Sequence, residues 1–318
     1  IESNDRVLQT IVSDIKLPQD TDESYKYIKG AIQAYPELYF AKLVVLGEGD
    51  SEELLLPKFF DLLGNEIDSS QISIVPLGGR HVNYFWKLLN SLKIPHITLL
   101  DFDNERYGGG WGRVQYVIQQ LLKIGIARND LVRMKDGRIL DDQDIARISS
   151  NQISDILSQP LLSWINHLEK FNVFFSAPLD IDFLMLQYYK DYYLETLSTN
   201  EGPVVSYTDE NSDNKKIKIT KMDRTNDYQL IGFKNRISEA IQATLKDKSG
   251  PGDSFTEEEK ELMIWYQYFF LGRGKPTTHM QFLLSIRDEE LIESLPSVFE
   301  KIVKRAKELL GDIEYGEE

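Results

Sequence analysis

Two short apolar runs that each end in carboxylates constrain this chain more than any other feature of it. KLVVLGEGDSEELLLP occupies residues 42–57 and HITLLDFDNE residues 96–105. A nearly unbroken run of Val, Ile and Leu bounded by polar residues suits a strand buried on both faces, as in parallel α/β sheets, whose carboxyl edge is where ligands bind. Glu48 and Glu52 from the first segment and Asp101 and Asp103 from the second then meet at one edge. Together they offer the all-oxygen set that Mg²⁺ or Mn²⁺ takes. Metal-assisted chemistry on phosphate is the leading expectation.

The same patterning predicts strands at 42–47, 72–77, 96–100 and 172–176. EELLLPKFFDLLG between the first two reads as a helix capped by Asp50 or Ser51 and ended by Gly64. HVNYFWKLLNSL between the second and third completes a β-α-β-α-β alternation of the length that parallel pairing requires. Residues 1–40 read as a helical lead-in with a turn at LPQDTDES, and 41–190 as the α/β domain, interrupted at about 110–170 by a helical insertion that follows the glycine-rich YGGGWGR. Residues 191–318 read as a mostly helical subdomain, with a polar stretch at 198–228 that is either a long loop or a small hairpin.

Forty-two per cent hydrophobic residues over 318 supply a sizeable core, and no run reaches the roughly 18 apolar residues of a membrane helix. Zero cysteines exclude disulfides, zinc–thiolate sites and thiol nucleophiles, and with no leader visible the expected setting is cytoplasmic. The chain opens on Ile1 within an amphipathic segment, which suggests a piece of a longer protein. A net charge of −15 argues against a uniformly basic nucleic-acid surface but allows a local track. Arg80, Arg106, Arg113, Arg273, Lys275 and the KKIKITK run at 215–221 are candidates for it; that run reads more readily as a lysine-protected edge strand.

The Glu48-Gly49-Asp50-Ser51-Glu52 turn admits a capping role for its last three residues, with Gly49 allowing a tight backbone. Glu48 has no such role, since it ends a buried strand and needs a cation to offset desolvation. Asp101 and Asp103 on an extended backbone point to one side about 6.6 Å apart, a span that one ion or two adjacent ions can bridge. Asp180 and Asp182 in PLDIDF suit either metal binding or an N-cap. Lys275, in LGRGKPTTHM, reads as a surface loop lysine or as a charge placed on a reacting phosphate. Gly78-Gly79-Arg80 suits an ordinary turn or a phosphate-approaching loop; the four histidines show no metal-ligand spacing, and His279 near Lys275 could touch a phosphate. No G-x-S-x-G, Walker A or dinucleotide fingerprint is present.

An E-G-x-x-E turn followed at this distance by a strand and D-x-D resembles the Toprim domain of primases, topoisomerases and several nucleases. Leu-Leu-Leu-Pro after Glu52-Glu53, LDFDNERYGGGWGR, LDIDFLML and the later Gly-Lys-Pro are similar to the carboxyl-terminal region of class 2 OLD-family (overcoming lysogenization defect) endonucleases. The resemblance runs from about residue 40 to the end. It implies a Toprim-type parallel sheet flanked by helices and a DNA endonuclease using two Mg²⁺ or Mn²⁺ ions, with Ca²⁺ as a non-catalytic substitute. Glu48, Asp101 and Asp103 would hold one ion, Glu52, Asp180 and Asp182 the other, and Lys275 would stabilise the transition state. Arg80, Arg106 and Arg273 would meet DNA. The family further implies an upstream ABC-type ATPase domain in the same parent chain and a role in phage defence or DNA processing; a homo-oligomer is a further arrangement open to the chain. Two rivals stand beside this reading: a D-x-D sugar-nucleotide transferase, which leaves Glu48 and Lys275 idle, and a non-catalytic Toprim module serving DNA binding or assembly. A topoisomerase fits less well, because nothing marks any of the 16 tyrosines as its nucleophile.

Overall fold

The computed structural model describes residues 29, 35–64, 67–78, 82–150, 161–208, 214–218, 231–246 and 249–315. The predicted lead-in helices therefore lie outside the described residues, apart from a 3-10 turn at Pro36–Tyr39.

Four strands form one parallel sheet: β1 (Leu43–Gly47), β2 (Ile72–Pro76), β3 (His96–Asp101) and β4 (Val173–Ser176), in the order β2-β1-β3-β4. Each lies within two residues of its expected bounds. Adjacent residues feed opposite layers, as strand geometry demands. Leu43 and Val45 pack with Phe59 and Phe299 on one side, while Val44 and Leu46 pack with Trp86 and Val117 on the other. Burial on both faces explains why the strands read as continuous apolar runs rather than alternating ones.

Helix α1 (Asp50–Leu62) links β1 to β2, and α2 (Val82–Leu92) links β2 to β3. The predicted insertion is helical where described. It begins with α3 (Trp111–Lys123), continues through short helices at Arg128–Leu131 and Asp142–Arg147, and ends with Leu161–Leu168. Helix α4 (Ile181–Glu195) follows β4 directly. The polar stretch after it resolves as a hairpin, β5 (Val204–Thr208) paired antiparallel with β6 (Asn214–Lys218), so the lysine run opens in a strand and residues 219–221 lie outside the described residues.

The remainder is helical: α5 (Ile231–Leu245), α6 (Glu257–Tyr266), a π-helical stretch at Gln267–Arg273, α7 (Lys275–Ser285), Asp288–Glu293 and α8 (Ser297–Tyr315). Phe269, Phe282, Phe299 and Ile302 from this part share one core with Phe59 of α1 and Met185 of α4. The helical part is thus packed onto the sheet domain, and that packing carries α7 to the sheet edge. Among the described residues no helix is long and apolar enough to cross a membrane.

Candidate active site

All four parallel strands point their carboxyl ends the same way, and the acidic residues collect there. Glu48 follows β1 immediately. Its Oε1 accepts the Asp101 backbone N–H at 3.2 Å, which ties the ends of β1 and β3 together. Burial pushes its carboxyl up to about 7 against the opposing pull of Arg113.

Glu52 sits in the first turn of α1 and is only 2% exposed. One oxygen, Oε2, accepts the Gly49 N–H at 2.8 Å, half of a capping box; Oε1 is buried with no hydrogen-bond partner. Burial, followed by the charges of Asp182 and Glu48, pushes Glu52 up to about 8. The N-cap of α1 is Gly49 rather than Asp50 or Ser51, and its backbone is extended (φ −158°, ψ −161°), so it does not need a glycine. Gly47 does, because a Cβ there would lie 2.4 Å from Cβ of Glu52. The glycine that the turn depends on is the one before Glu48, a close approach that spacing does not reveal.

Asp101 closes β3. Its Oδ1 accepts Oγ–H of Ser176 at 3.0 Å and the Ile181 N–H at 3.4 Å. Burial, with Glu52, Glu48 and Asp180 adding negative charge, holds it well above the usual carboxylate range. Asp103 does not continue the extended chain as expected; it adopts a left-handed conformation (φ 53°). The loop forces this, since Asp103 N–H donates to Leu179 O at 2.6 Å, and its carbonyl approaches Gly109 so closely that a Cβ there would lie 1.7 Å away. Its carboxylate consequently meets two guanidinium groups, Arg106 Nη1 at Oδ1 (2.8 Å) and Arg113 Nη2 at Oδ2 (2.5 Å). Burial opposes the charge, but the two arginines bring Asp103 below its ordinary value.

Arg106, expected to reach DNA, is instead 12% exposed and fully engaged. Besides Asp103 it donates to Asp180 Oδ2 (3.0 Å), Tyr266 Oη (3.0 Å) and Thr244 O (3.0 Å). Next to it, the Glu105 carboxylate accepts backbone N–H groups from Gly252 and Ser254, each at 2.6 Å. The loop after β3 is thereby anchored to the helical part at two consecutive residues.

Asp180 is the N-cap of α4, its Oδ1 accepting the Phe183 N–H at 2.9 Å. Its Oδ2 accepts from Tyr266 Oη at 2.5 Å as well as from Arg106. Asp182 lies in the first turn of α4, wholly buried. Oδ1 accepts Ser51 Oγ at 2.6 Å and faces His279 Nε2 at 2.8 Å; Oδ2 lies 2.5 Å from Nζ of Lys275. Burial opposes its charge, yet the His279 contact and the Lys275 ammonium bring Asp182 down to about 2. His279 Nδ1 in turn lies 2.7 Å from Tyr193 Oη.

The structure thus brings Glu48, Glu52, Asp101, Asp103, Asp180, Asp182 and Lys275 to one edge, but gives them different occupations. Asp180 and Asp182 have their oxygens engaged by protein donors. Among the described residues no three carboxylate or imidazole groups stand close enough to hold a metal as they are placed. The donor set still suits a hard cation: Glu48, Glu52 and Asp101 are crowded and all held above their ordinary values, and Glu52 keeps a buried, unpartnered oxygen. Arg80 lies outside the described residues, and Arg273 ends the π-helical stretch with Nη1 buried and without a hydrogen-bond partner. Tyr266, Thr244 and Tyr193 carry no sequence signal, being apolar-run or helix-interior residues that only packing brings here. Ser51 reads as a cap and Arg113 as a member of a basic track, and the structure gives both specific carboxylate partners.

Residues 39–103 match the family described as overcoming lysogenization defect protein-like, TOPRIM domain. The chain carries an OLD-like Toprim domain. Its Toprim stretch contains Glu48, Glu52, Asp101 and Asp103, with the remaining site residues supplied from beyond it. Over 91 residues the chain is 31% identical to endonuclease GajA of Bacillus cereus (strain HuB5-5), an alignment covering 29% of this chain and 13% of that protein. The C-terminal region of the OLD protein of Xanthomonas campestris pv. campestris superposes with a TM-score of 0.47 at 15% identity, covering 89% of this chain and 100% of that one. The corresponding region from Burkholderia pseudomallei gives 0.40 at 15% identity, covering 85% and 99%.

Proposed function

We propose that this chain is a divalent-metal-dependent DNA endonuclease region that hydrolyses phosphodiester bonds at the carboxyl edge of its Toprim sheet. The observation that carries this reading is the buried, unpartnered Oε1 of Glu52 beside two further carboxyls, Glu48 and Asp101, that burial and mutual repulsion hold above their ordinary values. Carboxyls so placed take a cation readily, because it relieves the repulsion and satisfies the orphaned oxygen. Likeness to a stretch of an endonuclease supports the substrate class.

Glu48, Glu52 and Asp101 would hold Mg²⁺ or Mn²⁺, with Asp103 as a further carboxylate of the set. Bound cations would supply a nucleophilic water of lowered pKa and neutralise charge on the phosphodiester. Lys275 presents an ammonium, 42% exposed, at the rim of this set, where it can meet the extra negative charge of the pentacovalent phosphate. Asp182 fixes that ammonium, Ser51 and His279 fix Asp182, and Arg106 fixes Asp103 and Asp180. We further propose that the nuclease works coupled to an ATPase domain.

Incubation with supercoiled plasmid and Mg²⁺, Mn²⁺, Ca²⁺ or EDTA, beside Glu52→Gln and Lys275→Ala, tests the reading. Nicking or linearisation with Mg²⁺ or Mn²⁺, lost in both variants and in EDTA, is expected. Absence of cutting with every metal would favour a non-catalytic DNA-binding module.

A further inference from the structure

Arg113 occupies an unusual place for an arginine. It lies in the first turn of α3, where the helix dipole is positive and an acidic residue is the ordinary choice; that turn holds no acidic residue at all. The helix therefore gains nothing from this cation. Its guanidinium reaches across the site instead: Nη1 lies 3.2 Å from Glu48 Oε1, and Nη2 lies 3.3 Å from Glu48 Oε2 and 2.5 Å from Asp103 Oδ2. One planar group thus spans the carboxylates that end β1 and follow β3, using the oxygens that a cation shared by those two residues would use. Arg106 differs in kind. It holds the other oxygen of Asp103 and is locked by Asp180, Tyr266 and Thr244, whereas the hydrogen bonds and ion pairs of Arg113 go to the Glu48 and Asp103 carboxylates.

We propose that Arg113 is a displaceable counter-ion of the metal centre: its guanidinium and a divalent cation take turns on Glu48 and Asp103. The inference rests on the metal-centre reading above. Arg113 holds the two carboxylates facing each other. The loop anchored by Glu105 and Arg106 keeps Asp103 in place when the guanidinium leaves. Metal binding is then an exchange of one cation for another, and its affinity is lowered by the strength of the ion pairs that must break.

The test is Mn²⁺ binding to the whole 318-residue chain, by calorimetry and by the loss of free-ion paramagnetic resonance signal, with thermal unfolding in EDTA and in Mn²⁺. Removing the competitor with Arg113→Gln should tighten Mn²⁺ binding about tenfold, the effect of losing one modest ion pair. It should also lower the melting temperature in EDTA while enlarging the gain that Mn²⁺ produces. Arg113→Lys, which keeps the charge but cannot span two carboxylates with a rigid fork, should fall between, and it carries the test if the Gln variant does not fold. Unchanged or weaker Mn²⁺ binding in the Arg113 variants, with binding lost in Glu52→Gln, would overturn the exchange and leave the metal centre intact. Wild-type Mn²⁺ affinity in Glu52→Gln would overturn the metal centre itself.

Discussion

Nζ of Lys275 lies 2.5 Å from Oδ2 of Asp182, so the first residue of α7 is fixed to a carboxylate in the first turn of α4. Asp182 is buried and the lysine is not, which separates their roles. Truncating the lysine leaves Oδ2 of the wholly buried Asp182 without the ammonium it faces, at a cost of roughly 1–3 kcal/mol. Removing a charge aimed at a developing oxyanion costs on the order of 10²-fold in rate. Lys275→Ala should therefore lower plasmid cleavage by about that factor, measured below its melting temperature, with little change in DNA affinity. A rate that matches wild type once the fraction of folded protein is allowed for would make Lys275 a structural residue only.

Gly47 and Gly49 flank Glu48 and should respond oppositely to a methyl group. Gly47→Ala drives a Cβ to within 2.4 Å of Cβ of Glu52, displacing the side chain that bears the unpartnered oxygen. Overpacking of this kind costs roughly 1–3 kcal/mol. At Gly49 the backbone is extended and the nearest atom to an added Cβ is Glu52 Oε2 at 3.9 Å. Denaturant melts should show Gly47→Ala destabilised and Gly49→Ala close to wild type.

Glu52 makes folding stability depend on pH in a definite direction. A carboxyl raised from 4.5 to about 8 binds its proton more tightly in the folded chain than in the unfolded one. Its contribution is complete below the unfolded value and is lost as pH rises through about 8. Urea melts in EDTA should accordingly show wild type weakening between pH 5 and 8, with Glu52→Gln weakening less and gaining on it at the alkaline end. Mn²⁺ acts with the opposite sign, since it favours the charged form, so the melting-temperature gain it produces should grow over the same interval. Parallel pH profiles for the two proteins would remove Glu52 as the source.

Arg106 and Tyr266 converge on Oδ2 of Asp180, at 3.0 and 2.5 Å. Loss of the tyrosine hydroxyl leaves the guanidinium in place and should cost roughly 1–2 kcal/mol. Arg106→Gln leaves Asp103 and Asp180 without their shared buried cation and should cost about 3 kcal/mol or more. A double-mutant cycle is expected to show the two changes coupled by about 1 kcal/mol or more, because they act on one oxygen. Additive losses would mean that the two groups serve Asp180 independently.

The sheet was legible because its strands are buried on both faces. Such strands cannot alternate, so they read as continuous Val, Ile and Leu, and their abrupt acidic ends mark the carboxyl edge without further information. The helical insertion and the helical tail were legible for a similar reason, since 3.6-residue periodicity survives whatever the helices later pack against. The hairpin at 204–218 was one of two readings, as polar strands that pair only with each other carry no hydrophobic pattern. The site was legible as a set of residues and not as an arrangement. The expected same-side pair of Asp101 and Asp103 assumed an extended chain, whereas hydrogen bonding to Leu179 and the approach to Gly109 turn Asp103 into the left-handed region.

By itself the sequence determined which residues gather: a parallel sheet forces the ends of β1, β3 and β4 to one edge, and every acidic residue placed there by spacing is found there. Only the tertiary structure decided what each one does. Packing of the helical part delivers Arg106's partner Tyr266, together with Lys275 and His279, from positions far along the chain. A buried carboxylate takes its role from the donors that packing sets around it: Asp180 and Asp182 are held by protein donors, Asp103 is a partner of arginines, and Glu52 keeps a buried oxygen without a hydrogen-bond partner.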